Sequence, residues 1–282
     1  MAEPELSYCV VNTAKRDLLV RALDSIARER ARLPFASEVL VLDNCSGDGS
    51  LQAARGHPAV DEVIALARRR GKALNDSELL RRARGRFALL MNEDTELQPG
   101  ATVTLHEALA QRAHTALAGA RLVRPDGAPQ ACAWRFPSPL TAAAGALLLH
   151  RVFTVQSHGS LTREVDFARR LRDAGWRSVY VPAAVAVHHE QLATGRLARR
   201  RIVELSRNRD LYMRKHHSAA AARLVRWLTA WSYALRALGA VALPGHDPGR
   251  YWQHVSATLM PGRGEGLREL AEEYNRSLQP VS

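Results

Sequence analysis

The stretch Phe87-Ala-Leu-Leu-Met-Asn-Glu-Asp-Thr-Glu96 carries the strongest chemical signal in the 282 residues. The short continuous apolar run from Phe87 to Met91 reads as a buried strand of a parallel sheet. It stops abruptly at Asn92, Glu93, Asp94, Thr95 and Glu96. Acidic side chains at the carboxyl end of such a strand sit where open α/β sheets bind ligands. Carboxylates gathered there repel one another unless a cation neutralises them, so a divalent metal is their natural partner. The plainer alternative is a strand followed by a polar turn closed by Pro99-Gly100. Asp94 would then serve the turn or cap the helix before Thr102.

The elements that must position these acids alternate. Strands are expected at Leu6 to Val11, Glu38 to Leu42, Asp61 to Leu66 and Leu117 to Val123, besides the run already described. Helices fall between them. Leu19, Ala22, Leu23 and Ile26 share one face of the first, and Ser77 to Ala83 and Thr102 to Gln111 are helical. The turn Cys45-Ser-Gly-Asp-Gly-Ser50 precedes another helix, which Asp48 or Ser50 can cap. This order predicts a doubly wound, mostly parallel α/β sheet. Further on, Gly145 to His150 reads as a strand, Glu164 to Ala174 as a helix ended by Gly175, and Val179 to Val181 and Val185 to Val187 as short strands around Pro182. From Leu197 the pattern is helical and basic, which divides the chain into 1–196 and an extension, 197–282.

Asp43 closes the second strand. In a dinucleotide fold an acid there holds ribose hydroxyls, but that fold needs a glycine-rich turn after the first strand. Here the first strand runs into Asn12-Thr-Ala-Lys-Arg16, which has no glycine.

The bulk composition narrows the class. At 46% hydrophobic the chain can bury a substantial core. The net charge of +12 rests almost wholly on arginine, with lysine only at 15, 72 and 215, and it implies anionic partners. Cys9, Cys45 and Cys132 are odd in number and form no close pair, so no disulfide framework or cysteine zinc site is expected. The acidic opening Met1-Ala-Glu-Pro-Glu5 has no apolar signal core, and no apolar run is long enough to span a bilayer. A cytoplasmic protein is expected. No nucleic-acid recognition module stands beside the charge, so nucleic acid is not an expected partner.

Several pieces, in order, resemble the family 2 glycosyltransferases of the GT-A fold, particularly the rhamnosyltransferase-like branch. They are Val10-Val-Asn12, Val41-Leu-Asp-Asn44 with Ser46-Gly-Asp-Gly-Ser50, Arg70-Gly71, Ala83-Arg-Gly-Arg-Phe87, Leu89 to Leu97 with Pro99-Gly100, and Arg124-Pro-Asp-Gly127. Gly145-Ala146, Glu164-Val-Asp166, Leu171-Arg-Asp-Ala-Gly-Trp176, Val187-His-His189, Arg207-Asn-Arg209 and Met213-Arg-Lys-His216 follow. The resemblance covers roughly residues 6 to 217 and implies a GT-A, Rossmann-like domain with a C-terminal helical extension.

It also implies an inverting transfer from a nucleotide-diphosphate sugar, dTDP- or UDP-linked and on this branch dTDP-rhamnose, to a hydroxyl acceptor. The acceptor would be a glycan, a lipid-linked sugar or a small molecule, in cell-surface glycan or natural-product glycoside synthesis. Asp94 corresponds to the aspartate that ligates Mn²⁺ or Mg²⁺, and Asn92 and Glu93 flank it. Asp43 corresponds to the position that reads the base, with Asn12 in the same pocket; a carboxylate suits an imide N–H because it only accepts. Arg70 and Asp76 fall on the donor side. His188 and His189 match a position that completes the metal site, one ligating and the other packing or meeting the diphosphate. Glu164 stands where the family places its catalytic base. Asp166, two residues on along a helix, cannot share its face and takes a structural or secondary role.

There are departures. The family usually has Asp, preceded by Glu, at the base position; here Arg163 precedes Glu164. The loop 152–162 lacks the usual aromatic, glycine-containing pattern, and the set after Gly71 is not asparagine-rich. A catalytically weakened relative that binds nucleotide sugars or supports a partner enzyme is therefore the alternative. Within 218–243, Leu224, Trp227, Leu228, Trp231, Leu235 and Leu238 recur at helical spacing among Arg223, Arg226 and Arg236. Two readings are open: a helix lying in the membrane interface at its inner face, or one packed on the catalytic domain or in a homodimer.

Overall fold

The structure, a computed structural model, describes residues 3–132, 135–147, 149, 163–189, 197–242 and 245–278. It forms two compact units. One takes Met1–Cys132, Leu171–Gln191 and Ala271–Ser282, the other Ala133–Arg170 and Leu192–Leu270. The expected catalytic domain 1–196 and extension 197–282, divided where the sequence pattern turns helical and basic, stand as a proposal beside this division by contact.

The first unit is built on β1 (Leu6–Asn12), β2 (Ser37–Asp43), β3 (Glu62–Ala65) and β4 (Phe87–Asn92), all parallel in the order β3-β2-β1-β4. All seven residues of β1 are buried, because alternate side chains enter different cores. Leu6, Tyr8 and Val10 pack with Leu19, Leu23 and Ile26 of α1 (Arg16–Arg30). Cys9 and Val11 pack with Leu40, Leu42, Ile64 and Leu79, the last from α3 (Lys72–Arg82). Helices on both faces make the sheet doubly wound, as the alternation predicts. The helix α2 (Ser50–Gly56) follows Asp48, whose Oδ1 accepts from the Ser50 N–H at 3.1 Å and its hydroxyl at 2.5 Å.

A second, mixed sheet in the same unit contains β5 (Thr95–Leu97), β6 (Thr115–Val123), β7 (Pro129–Gln130) and β8 (Arg177–His188), in the order β5-β8-β6-β7. β8 runs parallel to β6 and antiparallel to β5. Helix α4 (Ala101–Ala110) sends Leu105 and Ala108 into the same core as Leu97, Val181 and Ala186.

The second unit is helical. It holds α5 (Pro139–Ala146), the start of α6 (Arg163–Asp173), α7 (Leu197–His216), α8 (Ala219–Ala242), α9 (Pro248–Leu259) and the start of α10 (Leu267–Ser277). Tyr233 of α8 stacks on His254 of α9, with ring centroids 4.2 Å apart.

Three sequence expectations change. Gly145 is helical, not the start of a strand: Ser138 and Thr141 form a capping box and Pro139 takes the first helical position. The two strands around Pro182 are one strand with a bulge, where the register passes from Ala120↔Val181 to Arg121↔Val185; proline has no N–H to give the ladder, so the strand buckles there. Finally, β4 is only partly buried, with Leu90 37% exposed, because it lies at the edge of its four-stranded sheet.

Candidate active site

The carboxyl ends of β1 and β2 meet in a network of short polar side chains. Asn12 Nδ2 donates to Asp43 Oδ1 at 3.0 Å and to Ser46 Oγ at 3.1 Å, and the Ser46 N–H donates to Asp43 Oδ2 at 2.9 Å. Asn44 reaches sideways: its Oδ1 accepts from the Arg70 N–H at 2.8 Å, and its Nδ2 donates to the Arg70 carbonyl and to Thr13 Oγ1, both at 3.1 Å. The expected pair Asn12 and Asp43 is therefore brought together, and Arg70 is tied to it through Asn44.

Several buried polar atoms here have no hydrogen-bond partner among the described residues: Asn12 Oδ1, Arg70 Nε, and both side-chain atoms of Asn75. Asn75 lies on α3 and is fully buried. Burying such an atom unpaired costs about 1–3 kcal/mol, a cost that a polar ligand removes. Asp76, beside it, accepts from Lys72 Nζ at 2.7 Å.

Glu93 and Asp94 occupy the turn between β4 and β5. Glu93 Oε1 accepts from the Thr13 N–H at 3.3 Å, so it braces the end of β1. Burial, with the charge of Asp94 added, pushes its carboxyl up to about 7 against the pull of Lys72. Asn92 ends β4 in register with Val11. Asp94 does not cap α4. That helix start is held by Glu29 of α1, whose two carboxylate oxygens accept from the Gly100 and Thr102 N–H groups, each at 2.8 Å.

Asp94 instead faces His188. The antiparallel pairing sets Thr95 opposite His188, which brings His188 Nε2 to 3.4 Å from Asp94 Oδ1. The other ring nitrogen, Nδ1, donates to Gln130 Oε1 at 2.9 Å. In the neutral ring that bond leaves a lone pair on Nε2. A carboxylate oxygen and an imidazole lone pair then face one another, close enough to share one cation at ligand distances of about 2.0–2.2 Å. His189 points elsewhere, its Nε2 donating to Glu96 Oε1 at 2.7 Å, while its backbone N–H donates to the Asp94 carbonyl at 2.9 Å. Among the described residues no group of three His, Cys, Asp or Glu forms a metal cage. Two protein ligands suit a cation whose remaining positions go to phosphate and water.

The two expected acids of α6 belong to the second unit. Glu164 lies in the first turn, and its side chain falls outside the described residues, as do loop 152–162 and the expected strand end at His150. Asp166 accepts from Lys215 Nζ at 2.7 Å and His216 Nε2 at 2.6 Å, with Arg170 Nε at 3.4 Å. Despite burial, these bonds hold its carboxyl below the usual range. Both oxygens of Asp166 are thus occupied in fastening α6 to α7.

Sequence reasoning missed Asn44, Ser46, Lys72 and Gln130 as site residues; Asn75 was noted only as standing close to the place of the asparagine-rich set. Asn44 and Ser46 lay inside quoted motifs as neighbours of Asp43. Gln130 stands in a two-residue strand with no pattern around it.

The model for "Glycosyl transferase family 2" matches residues 7–167. An N-acetylglucosaminyl-diphospho-decaprenol L-rhamnosyltransferase of Mycobacterium tuberculosis is 26% identical over 275 residues, covering 75% of this chain and 87% of that protein. Among solved structures, a mannosyltransferase from Pyrobaculum calidifontis in complex with GDP-Man and Mn²⁺ has a TM-score of 0.56 at 18% identity, covering 98% of this chain and 88% of that one. S. aureus TarS 1-349 in complex with UDP-GlcNAc has a TM-score of 0.52 at 14% identity, covering 97% and 87%. The fold is GT-A, and the chain belongs to glycosyl transferase family 2: it is a glycosyltransferase.

Proposed function

We propose that the protein is an inverting, metal-dependent glycosyltransferase. Its donor is a dTDP- or UDP-linked sugar, dTDP-rhamnose on the branch resembled, and its acceptor is the hydroxyl of a lipid-linked glycan. The observation that carries this reading is the approach of His188 Nε2 to Asp94 Oδ1 at 3.4 Å, with the imidazole held from behind by Gln130. The nature of the donor and acceptor rests on the resemblance and on the decaprenol-linked sugar named for the mycobacterial relative.

Asp94 and His188 would hold Mn²⁺ or Mg²⁺, which when bound neutralises charge on the leaving diphosphate. The residues around it have separate tasks. Asp43, fixed by Asn12 and the Ser46 N–H, keeps lone pairs for an imide N–H of the base. The unpaired buried atoms of Asn12 and Asn75 offer further hydrogen bonds to base or ribose. Arg70 offers its guanidinium to the diphosphate. Glu164 takes the proton from the acceptor hydroxyl, an assignment that rests on the family pattern.

The test combines thermal shift with nucleotide release, using Mn²⁺ and a panel of nucleotide sugars on wild type, Asp94→Ala and Glu164→Gln. Stabilisation by one nucleotide sugar, lost in Asp94→Ala, is expected. Glu164→Gln should bind donor normally and turn over at least 100-fold more slowly. If no nucleotide stabilises the wild type, the donor site is misread. Turnover unaffected by Glu164→Gln removes the base assignment. Donor binding without turnover in the wild type, on a panel of lipid-linked acceptors, favours the weakened-relative reading that the Arg163-Glu164 departure motivates.

A further inference from the structure

The family model ends at residue 167, a hundred residues before α10 begins at Leu267. Yet residues 271–278 of that helix and its end belong to the sheet unit, and two of them hold the segment that carries Arg70. Asn275 is buried at 7% exposure. Its Oδ1 accepts from the Arg69 N–H at 2.7 Å and its Nδ2 donates to the Arg69 carbonyl at 3.0 Å. Asn44 makes the same pair of bonds to the next residue, Arg70. Two carboxamides, one from the end of β2 and one from α10, thus grip consecutive residues where the chain has neither helix nor strand.

Tyr274 adds a second grip. The Arg69 guanidinium lies 3.4 Å from the centroid of its ring, and Arg69 Nε donates to the Cys45 carbonyl at 3.5 Å. On the other side the Tyr274 hydroxyl sits against Gly47, 3.3 Å from where a Cβ would stand. The helix therefore presses on the Cys45–Gly47 turn, which follows Asp43, as well as on Arg69.

We propose that Tyr274 and Asn275 are positioning residues of the donor site: by fixing Arg69 they preset the backbone that presents Arg70. This rests on the donor reading of the Asn12–Asp43–Arg70 pocket. The physical reason is preorganisation. A six-residue connection, 66–71, left to find its bound conformation pays ordering entropy at each binding event. Arg69 is spent on Tyr274 so that Arg70 stays available.

Amide hydrogen exchange and nucleoside diphosphate affinity, measured on the full chain with Mn²⁺ and either UDP or dTDP, separate the outcomes. Asn275→Ala should lose protection across 66–71 while β1 and β2 keep theirs, and should weaken the nucleotide about tenfold. Tyr274→Ala reaches the same segment without touching the Asn275 carboxamide and should do the same. Donor KM should rise with kcat within about twofold, a split that general loss of folded protein does not produce. Unchanged protection at 66–71 in both variants overturns the grip. Lost protection with unchanged affinity overturns its functional role alone. A wild type that binds neither nucleotide overturns the donor reading and the positioning role with it.

Discussion

Gln130 carries no charge and is not itself a candidate ligand, yet its bond to His188 Nδ1 decides which nitrogen of that ring faces Asp94. Partners behind a metal-binding histidine fix its tautomer and ring orientation, and losing them typically costs 10–100-fold in metal affinity. Gln130→Ala should therefore weaken Mn²⁺-dependent donor binding by about that factor, with nucleotide binding in the absence of Mn²⁺ unchanged. Titration of the variant with Mn²⁺ at fixed nucleotide checks it, and an unaltered Mn²⁺ dependence would show that His188 does not ligate. The contrast between Asp94 and Gln130 shows what is legible in a sequence. Asp94 ends an apolar run, and that pattern alone places it at the carboxyl edge of a sheet. Gln130 acquires its role only when β7 and β8 are both laid beside β6, a non-local arrangement that no local spacing encodes.

At the scale of elements, carboxylates act as fasteners. Glu29 joins α1 to the start of α4. Glu38 of β2 accepts from Ser7 Oγ at 2.6 Å and from the Arg84 N–H and Nε at 2.8 Å each, locking the entry to β4. Glu269 of α10 accepts from Arg207 Nη1 of α7 at 2.8 Å. Burial alone would raise Glu38 and Glu269, but the bonds win: both are held below the usual carboxylate range, Glu269 at about 2. A depressed folded-state pKa adds stability that is complete above the unfolded value and disappears as pH falls through the folded one. The share of the urea midpoint owed to Glu38 and Glu269 should thus be complete above about pH 5 and be lost between about 4.5 and 2, with a shallower acid fall in Glu269→Gln, while Glu93, pushed up to about 7, adds a separate decline as pH rises from about 4.5 to 7. An equally steep fall in that variant would remove Glu269 from the linkage. The strand-helix alternation of residues 6–123 was readable because each element obeys its own period. The bulge in β8 was not: Pro182 looks like a break, and only pairing with β6 on both sides of it makes one strand of two pieces. Gly145 looked extended because apolar residues surround it, while the Ser138-Pro139 start of its helix stood seven residues upstream.

At the scale of the whole molecule, charge and one apolar stripe act together. On α8, Leu224, Trp227, Trp231, Leu238 and Val241 are exposed, the two tryptophans at 65% and 58%, and their spacings of three, four, seven and three residues keep them along one side. No helix of the described residues is long and apolar enough to cross a membrane. An interfacial contact needs only such a stripe and a positive field, each nearby arginine adding about 1 kcal/mol at an anionic surface; the chain carries +12. The protein should co-sediment with vesicles containing phosphatidylglycerol, less so at 0.5 M salt, and Trp227→Ala/Trp231→Ala should bind them about tenfold more weakly. Equal binding by that double variant would return α8 to the alternative of a packing or dimer face. The grip of Asn275 on Arg69 has a temporal side as well. The two residues stand 206 positions apart, and a ribosome adding about 5–20 residues per second needs roughly 10–40 s to travel from one to the other. Throughout that interval the nascent chain already owns the strands that end in Asn12 and Asp43, and after its first 23 residues the strand that ends in Asn92, but not the helix proposed to set Arg70, so synthesis itself delays the moment at which the proposed donor site is complete.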